Sequence, residues 1–96
     1  MRVEQFYAMN QFHIYDNLYD VLQSYDSTVV KIKKANIGYK EIMLGRDWDY
    51  STTTSKYVYM FLEEYGDINF YGITNKRNYV RKLIEDGTII YNEEMR

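Results

Sequence analysis

The chain has 96 residues, is 46% hydrophobic and 27% charged, and carries a net charge of −2. That balance excludes a disordered tail, a collagen-like repeat or a coiled coil, and two domains would each fall below the roughly 50 residues a domain needs, so residues 1–96 read as a single domain. With no cysteine and one histidine, disulfides, thiolate zinc sites, iron–sulfur clusters, cysteine nucleophiles and a multi-histidine metal site are also excluded.

From the amino end, Met1-Arg2-Val3-Glu4-Gln5 carries an acid where a secretory signal would begin its apolar stretch. The longest apolar run, Tyr57–Leu62, is six residues, against roughly 18 for a membrane span. A cytoplasmic protein is therefore expected. Phe12, Ile14 and Val21 mark strand-like alternation, with His13 and Tyr15 on the opposite side, giving one or two strands across Phe12–Tyr25. Thr28–Lys34 and Tyr39–Leu44 read as a hairpin around Asn36 and Gly38.

After Tyr50 the period changes. Val58, Phe61, Leu62 and Tyr65 fall at i, i+3, i+4 and i+7, one stripe of a helix. Ser51 or Thr53 is placed to cap its start, and Gly66 to end it. A second helix begins near Thr74 with Val80, Leu83 and Ile84 inward and Gly87 as its stop, before a closing strand Thr88–Tyr91. The expected fold is α+β, in the order β-β-β-α-α-β: a small antiparallel sheet of three to five strands with two helices on one face.

Charge is distributed in blocks: −3 over residues 1–30, +4 over 31–46, −4 over 47–69, +4 over 70–82 and −3 over 83–96. Folding is expected to cancel at least one pair of blocks. Twelve tyrosines against four phenylalanines and one tryptophan place several large rings at the surface, where tyrosine serves contact faces well.

Catalysis finds little support. His13 has no serine and acid at a spacing that suggests a triad, Ser51 with Asp49 being a set on paper only, and a lone histidine on a strand reads as a surface residue. Phosphate-cradling and calcium-loop patterns are missing. No enzyme, cofactor or metal is expected. The stretch Asp47–Lys56 collects hydroxyls at a helix start, where an anion could sit. Capping, with Trp48 and Tyr50 anchored on the sheet, is the preferred reading, since Asp47 and Asp49 would repel phosphate.

Two sets of residues remain. On the first helix, Lys56, Tyr59, Met60, Glu63 and Glu64 lie off the core stripe, and Asp47, Asp49 and Asp67 extend the acid toward its ends. An aromatic and a methionine beside paired acids suit a basic protein surface. On the second helix, Lys76, Arg77, Asn78, Arg81 and Lys82 resemble a winged helix running into its wing. There Arg77, Asn78 and Arg81 would read the major groove, and Lys76 or Lys82 would meet phosphates.

The runs Ser24-Tyr25-Asp26-Ser27-Thr28-Val29-Val30 and Trp48-Asp49-Tyr50-Ser51-x-Thr53-Thr54-x-Lys56, with Phe61-Leu62, resemble small orphan proteins of phages and prophages of Gram-positive bacteria. The likeness spans residues 24–62, with a looser match around Val80–Tyr91. It implies a compact protein that binds a host or defence protein and blocks it, as anti-CRISPR inhibitors of type II effector nucleases do, by analogy of size, source and surface chemistry. The expected function is thus stoichiometric inhibition of a defence nuclease through an acidic, tyrosine-rich surface that mimics DNA. The alternative is a small winged-helix-like DNA binder, and a homodimer formed through the tyrosines is a third expectation.

Overall fold

A computed structural model describes residues 1–35 and 40–96. Five strands precede the helices: β1 (Arg2–Phe6), β2 (Ala8–Tyr15), β3 (Tyr19–Ser24), β4 (Ser27–Lys33) and β5 (Glu41–Gly45). Helices α1 (Thr52–Tyr65) and α2 (Lys76–Glu85) follow, then β6 (Ile89–Asn92). The strands form one six-stranded sheet in sequence order. β1 to β5 are an antiparallel meander, and β6 runs parallel to β5.

The α+β class and the two-helix layer are as expected, but the sheet is larger and mixed. β1 escaped notice because four of its five residues are exposed at the sheet edge, which leaves no alternating apolar signal. β6 is parallel because both helices lie in the β5–β6 connection, and a crossover of that length returns the chain in the same direction. The β4–β5 hairpin is present. Tyr39 and the proposed turn residues Asn36 and Gly38 lie outside the described residues.

Register decides which side chains meet the helices. Leu22, Val30 and Leu44 form one row beside His13, and Asp20, Ile32, Ile42 and Ile89 form the next. Nearly all are fully buried beneath Val58, Phe61 and Leu62 of α1. A β-bulge at Leu22/Gln23 adds one residue to β4, so the adjacent Val29 and Val30 are both buried. The other face carries Val3, Ile14, Val21, Lys31, Met43 and Ile90 in a row across all six strands, and these are half-buried or exposed.

His13 corrects the expectation of a surface histidine. Phe12 and Ile14 take the open face, while His13 turns under α1 and is only 5% exposed. Its partner makes this tolerable: His13 Nε2 lies 2.8 Å from Asp20 Oδ1 on the neighbouring strand. The ring stacks on Tyr15 at 4.6 Å and tilts against Tyr65 at 4.3 Å.

Local signals set the helix ends. Ser51 accepts the amide of Thr54 at 3.1 Å, so it, rather than Thr53, is the N-cap. At the other end the Gly66 amide donates to Leu62 O at 2.9 Å. The left-handed turn that leaves the helix falls on Asp67 (φ 58°) rather than on glycine. α2 is capped by Asn75, which accepts the Asn78 amide, and Gly87 (φ 86°) ends it in the region that favours glycine. Val80 is buried, and Leu83 and Ile84 pack against the core.

Candidate functional site: a groove of mixed charge between the helices

A concavity of about 1090 Å³ lies along α1 and reaches the first turn of α2. α1 contributes Lys56 near its start, Tyr59 and Met60 in the middle, and Glu63 and Glu64 toward its end. Phe70 and the run Asn75–Asn78 line it from the connection and α2. The floor is aromatic. Phe70 is buried, its ring centroid 5.5 Å from Tyr59 and 5.5 Å from Tyr79, and Trp48 lies 6.5 Å from Tyr59. Tyr59 and Met60, expected to stand fully off the core, are half-buried and packed against it. A helix of this small domain has aromatic neighbours on two sides, so its off-stripe rings become groove floor.

One further residue completes the acidic end. Tyr7, in the β1–β2 turn, is 66% exposed and donates its hydroxyl to Glu64 Oε2 at 3.1 Å. It holds φ 63°, a conformation uncommon for a bulky side chain. The hydrogen bond and negative charge of Glu64 push the Tyr7 hydroxyl pKa above its ordinary value. Sequence reasoning missed Tyr7, since nothing in the local pattern brings residue 7 beside residue 64.

The remaining acids go elsewhere. Asp67 pairs with Lys40 at 3.3 Å, Asp49 faces Arg81 at 3.8 Å, and Asp47 accepts from Ser27 Oγ at 2.8 Å. The first two contacts join oppositely charged blocks, the partial cancellation that block arithmetic anticipates. The acidic patch thus narrows to Glu63 and Glu64. Asp47 also lines a second pocket of about 300 Å³ at the start of α1, with Ser24, Tyr25 and Ser51. Ser51 caps α1 and Ser24 contacts Thr54 at 3.2 Å, in keeping with the capping reading. Trp48 is buried as expected, but Tyr50 is 81% exposed and is not anchored on the sheet.

Lys76, Arg77, Asn78, Arg81 and Lys82 are all exposed. Lys76, Arg77 and Asn78 share the groove with Tyr59, Met60, Glu63 and Glu64, while Arg81 faces Asp49. The setting differs from a winged helix in two respects. Ten residues, 66–75, separate the helices, where a helix-turn-helix uses about three or four. The strand after α2 joins the main sheet instead of forming a hairpin wing. Among the described residues no cluster of three His, Asp or Glu side chains could hold a metal ion, and no helix is long and apolar enough to cross a membrane.

Fold and groove together define a small α+β domain whose helical layer presents a cleft lined by acidic and basic side chains over an aromatic floor. The chain belongs to a family of unknown function, DUF8033, whose model matches residues 1–81. Every strand of the meander and every groove residue from Tyr7 to Asn78 falls within that match. No curated protein and no solved structure matches the chain.

Proposed function

We propose that this protein acts by stoichiometric binding to another protein, with the helical groove as its docking surface. The observation that carries this is the juxtaposition of Glu63 and Glu64 with an aromatic and thioether floor of Tyr59, Met60 and Phe70. Such a surface offers buried anchors in the centre and charge at the rim, the arrangement that concentrates binding energy in few residues. With the likeness to phage proteins, the partner to test first is a bacterial defence nuclease of the type II CRISPR class, whose DNA-binding cleft is basic. The protein would act there in the cytoplasm of the host.

The test uses Glu63→Lys/Glu64→Lys, since Asp67 is already tied to Lys40. Wild-type protein should block DNA cleavage by the nuclease at near-equimolar ratio, and the folded double variant should lose about tenfold or more in potency. Equal inhibition by both proteins, or none by the wild type, overturns the reading.

A second reading, duplex DNA binding through α2, draws on the exposure of all five of its polar side chains from Lys76 to Lys82. Salt titration with duplex DNA separates the two, because phosphate contacts weaken steeply with salt. A docking protein should show little affinity at any salt concentration.

A further inference from the structure

Tyr59, Met60, Glu63 and Glu64 of one reading and Lys76, Arg77 and Asn78 of the other meet in one groove, and this constrains what fits there. We infer that the groove takes an extended polypeptide segment carrying charge of both signs, its basic residue against Glu63 and Glu64 and its acidic residue against Lys56, Lys76 and Arg77. The inference rests on the reading of the groove as a protein-docking surface and goes beyond it by specifying the partner's charge order.

The groove holds charge of both signs, with Lys56 near the start of α1, Glu63 and Glu64 toward its end, and Lys76 and Arg77 from the first turn of α2. Among the described residues, no ion pair within 4.0 Å joins Glu63, Glu64, Lys56, Lys76 or Arg77 to another side chain. Lys76 instead lies 6.0 Å from the ring centroids of Tyr59 and Phe70, over the floor. Three further contributions sharpen the polarity. The Tyr7 hydroxyl steadies Glu64 at the acidic end. Lys56 stands two turns of α1 before the acids. The first turn of α2, with Asn75 as its cap, brings the positive end of its dipole to the groove lining.

A partner of one sign is attracted at one end and repelled at the other, whereas a two-signed segment gains at both. The spacing follows from helix geometry. Lys56 and Glu63 are seven residues apart, which at 1.5 Å per residue is about 10 Å along α1. An extended chain covers that distance in about three residues, so acid and base should be separated by about that number, with an apolar side chain between them for the floor.

The test measures fluorescence polarisation of the full chain with three labelled peptides of equal length. Each has the same apolar centre, flanked by lysine at one end and glutamate at the other, by lysine at both, or by glutamate at both. The two-signed peptide should bind about tenfold more tightly than either of the others at low salt. Glu63→Lys/Glu64→Lys should shift the preference to the all-glutamate peptide, and Lys76→Glu/Arg77→Glu to the all-lysine peptide. All these positions are exposed, and circular dichroism verifies the fold of each variant. If the all-lysine peptide binds as well as the two-signed one and Lys76→Glu/Arg77→Glu changes nothing, the charge-order inference falls while acidic docking stands. If no peptide binds below about 1 mM, the docking groove falls with it.

Discussion

The His13 imidazole and the Asp20 carboxylate meet at 2.8 Å under the first helix, with side chains only 7% and 9% exposed. Lys34 approaches the same carboxylate oxygen at 3.8 Å from the rim. Placing this polar pair beside Leu22 and Phe61 is tolerable only while both partners are present. Removing one partner of such a pair costs about 3–5 kcal/mol. His13→Ala, which strands a buried carboxylate beside Lys34 alone, should be costlier than Asp20→Ala, which leaves no buried carboxylate. Urea unfolding of the two single variants and the double variant checks this, and the double variant should cost less than the two singles combined.

The Tyr65 ring tilts against His13 at 4.3 Å, and the Tyr65 hydroxyl pKa is pushed up to about 12, first by burial and then by the carboxylates of Glu64, Asp20 and Glu4. A raised folded-state value means that the fold favours the neutral phenol. Its contribution is intact below pH 10 and is lost as pH rises from 10 through about 12. Tyr65→Phe should flatten the alkaline fall in the urea midpoint across that window. An unchanged alkaline slope in the variant would refute this account.

At the end of β5, Gly45 lets two backbones come close. A β-carbon there would collide with the Thr28 carbonyl oxygen and lie 2.7 Å from that of Met95. The carboxyl-terminal turn is docked at the same place, since the Arg46 amide donates to Met95 O at 2.9 Å. Gly45→Ala should therefore cost about 1–3 kcal/mol through overpacking. Amide exchange should show weakened protection at Arg46.

Ser51 and Thr53 both precede or open α1, yet only Ser51 accepts an orphan amide. Ser51→Ala should cost about 1 kcal/mol, a fall in Tm of about 4–8 °C for a domain of this size. Thr53→Ala, at an exposed position, should leave the melting temperature almost unchanged.

Helix existence and ends were legible in the sequence because they rest on near-neighbour chemistry. The stripe Val58–Phe61–Leu62–Tyr65, the Ser51 cap, the stop at Gly66 and the Gly87 turn all act within a few residues. The β4–β5 hairpin was legible on the same grounds. Strand orientation was less so. Gln11 and His13 alternate with Phe12 and Ile14, and period alone assigns the apolar pair to the core. Pairing with Ser24 and Leu22 turned the polar pair inward instead.

The candidate site shows the same division. Sequence placed Tyr59, Met60, Glu63 and Glu64 on one helix and Lys76, Arg77 and Asn78 on the next, as rival sites. Composition, caps and hydrophobic period, all short-range, determined the α+β class, the two helices and these residue sets. Contacts between residues distant in sequence decided the rest: the parallel sixth strand, the buried His13–Asp20 pair, the Tyr7–Glu64 bond, and a groove shared by part of each expected residue set. Such contacts form only when strand register and helix docking close the chain on itself, and no local pattern encodes which distant side chain will arrive.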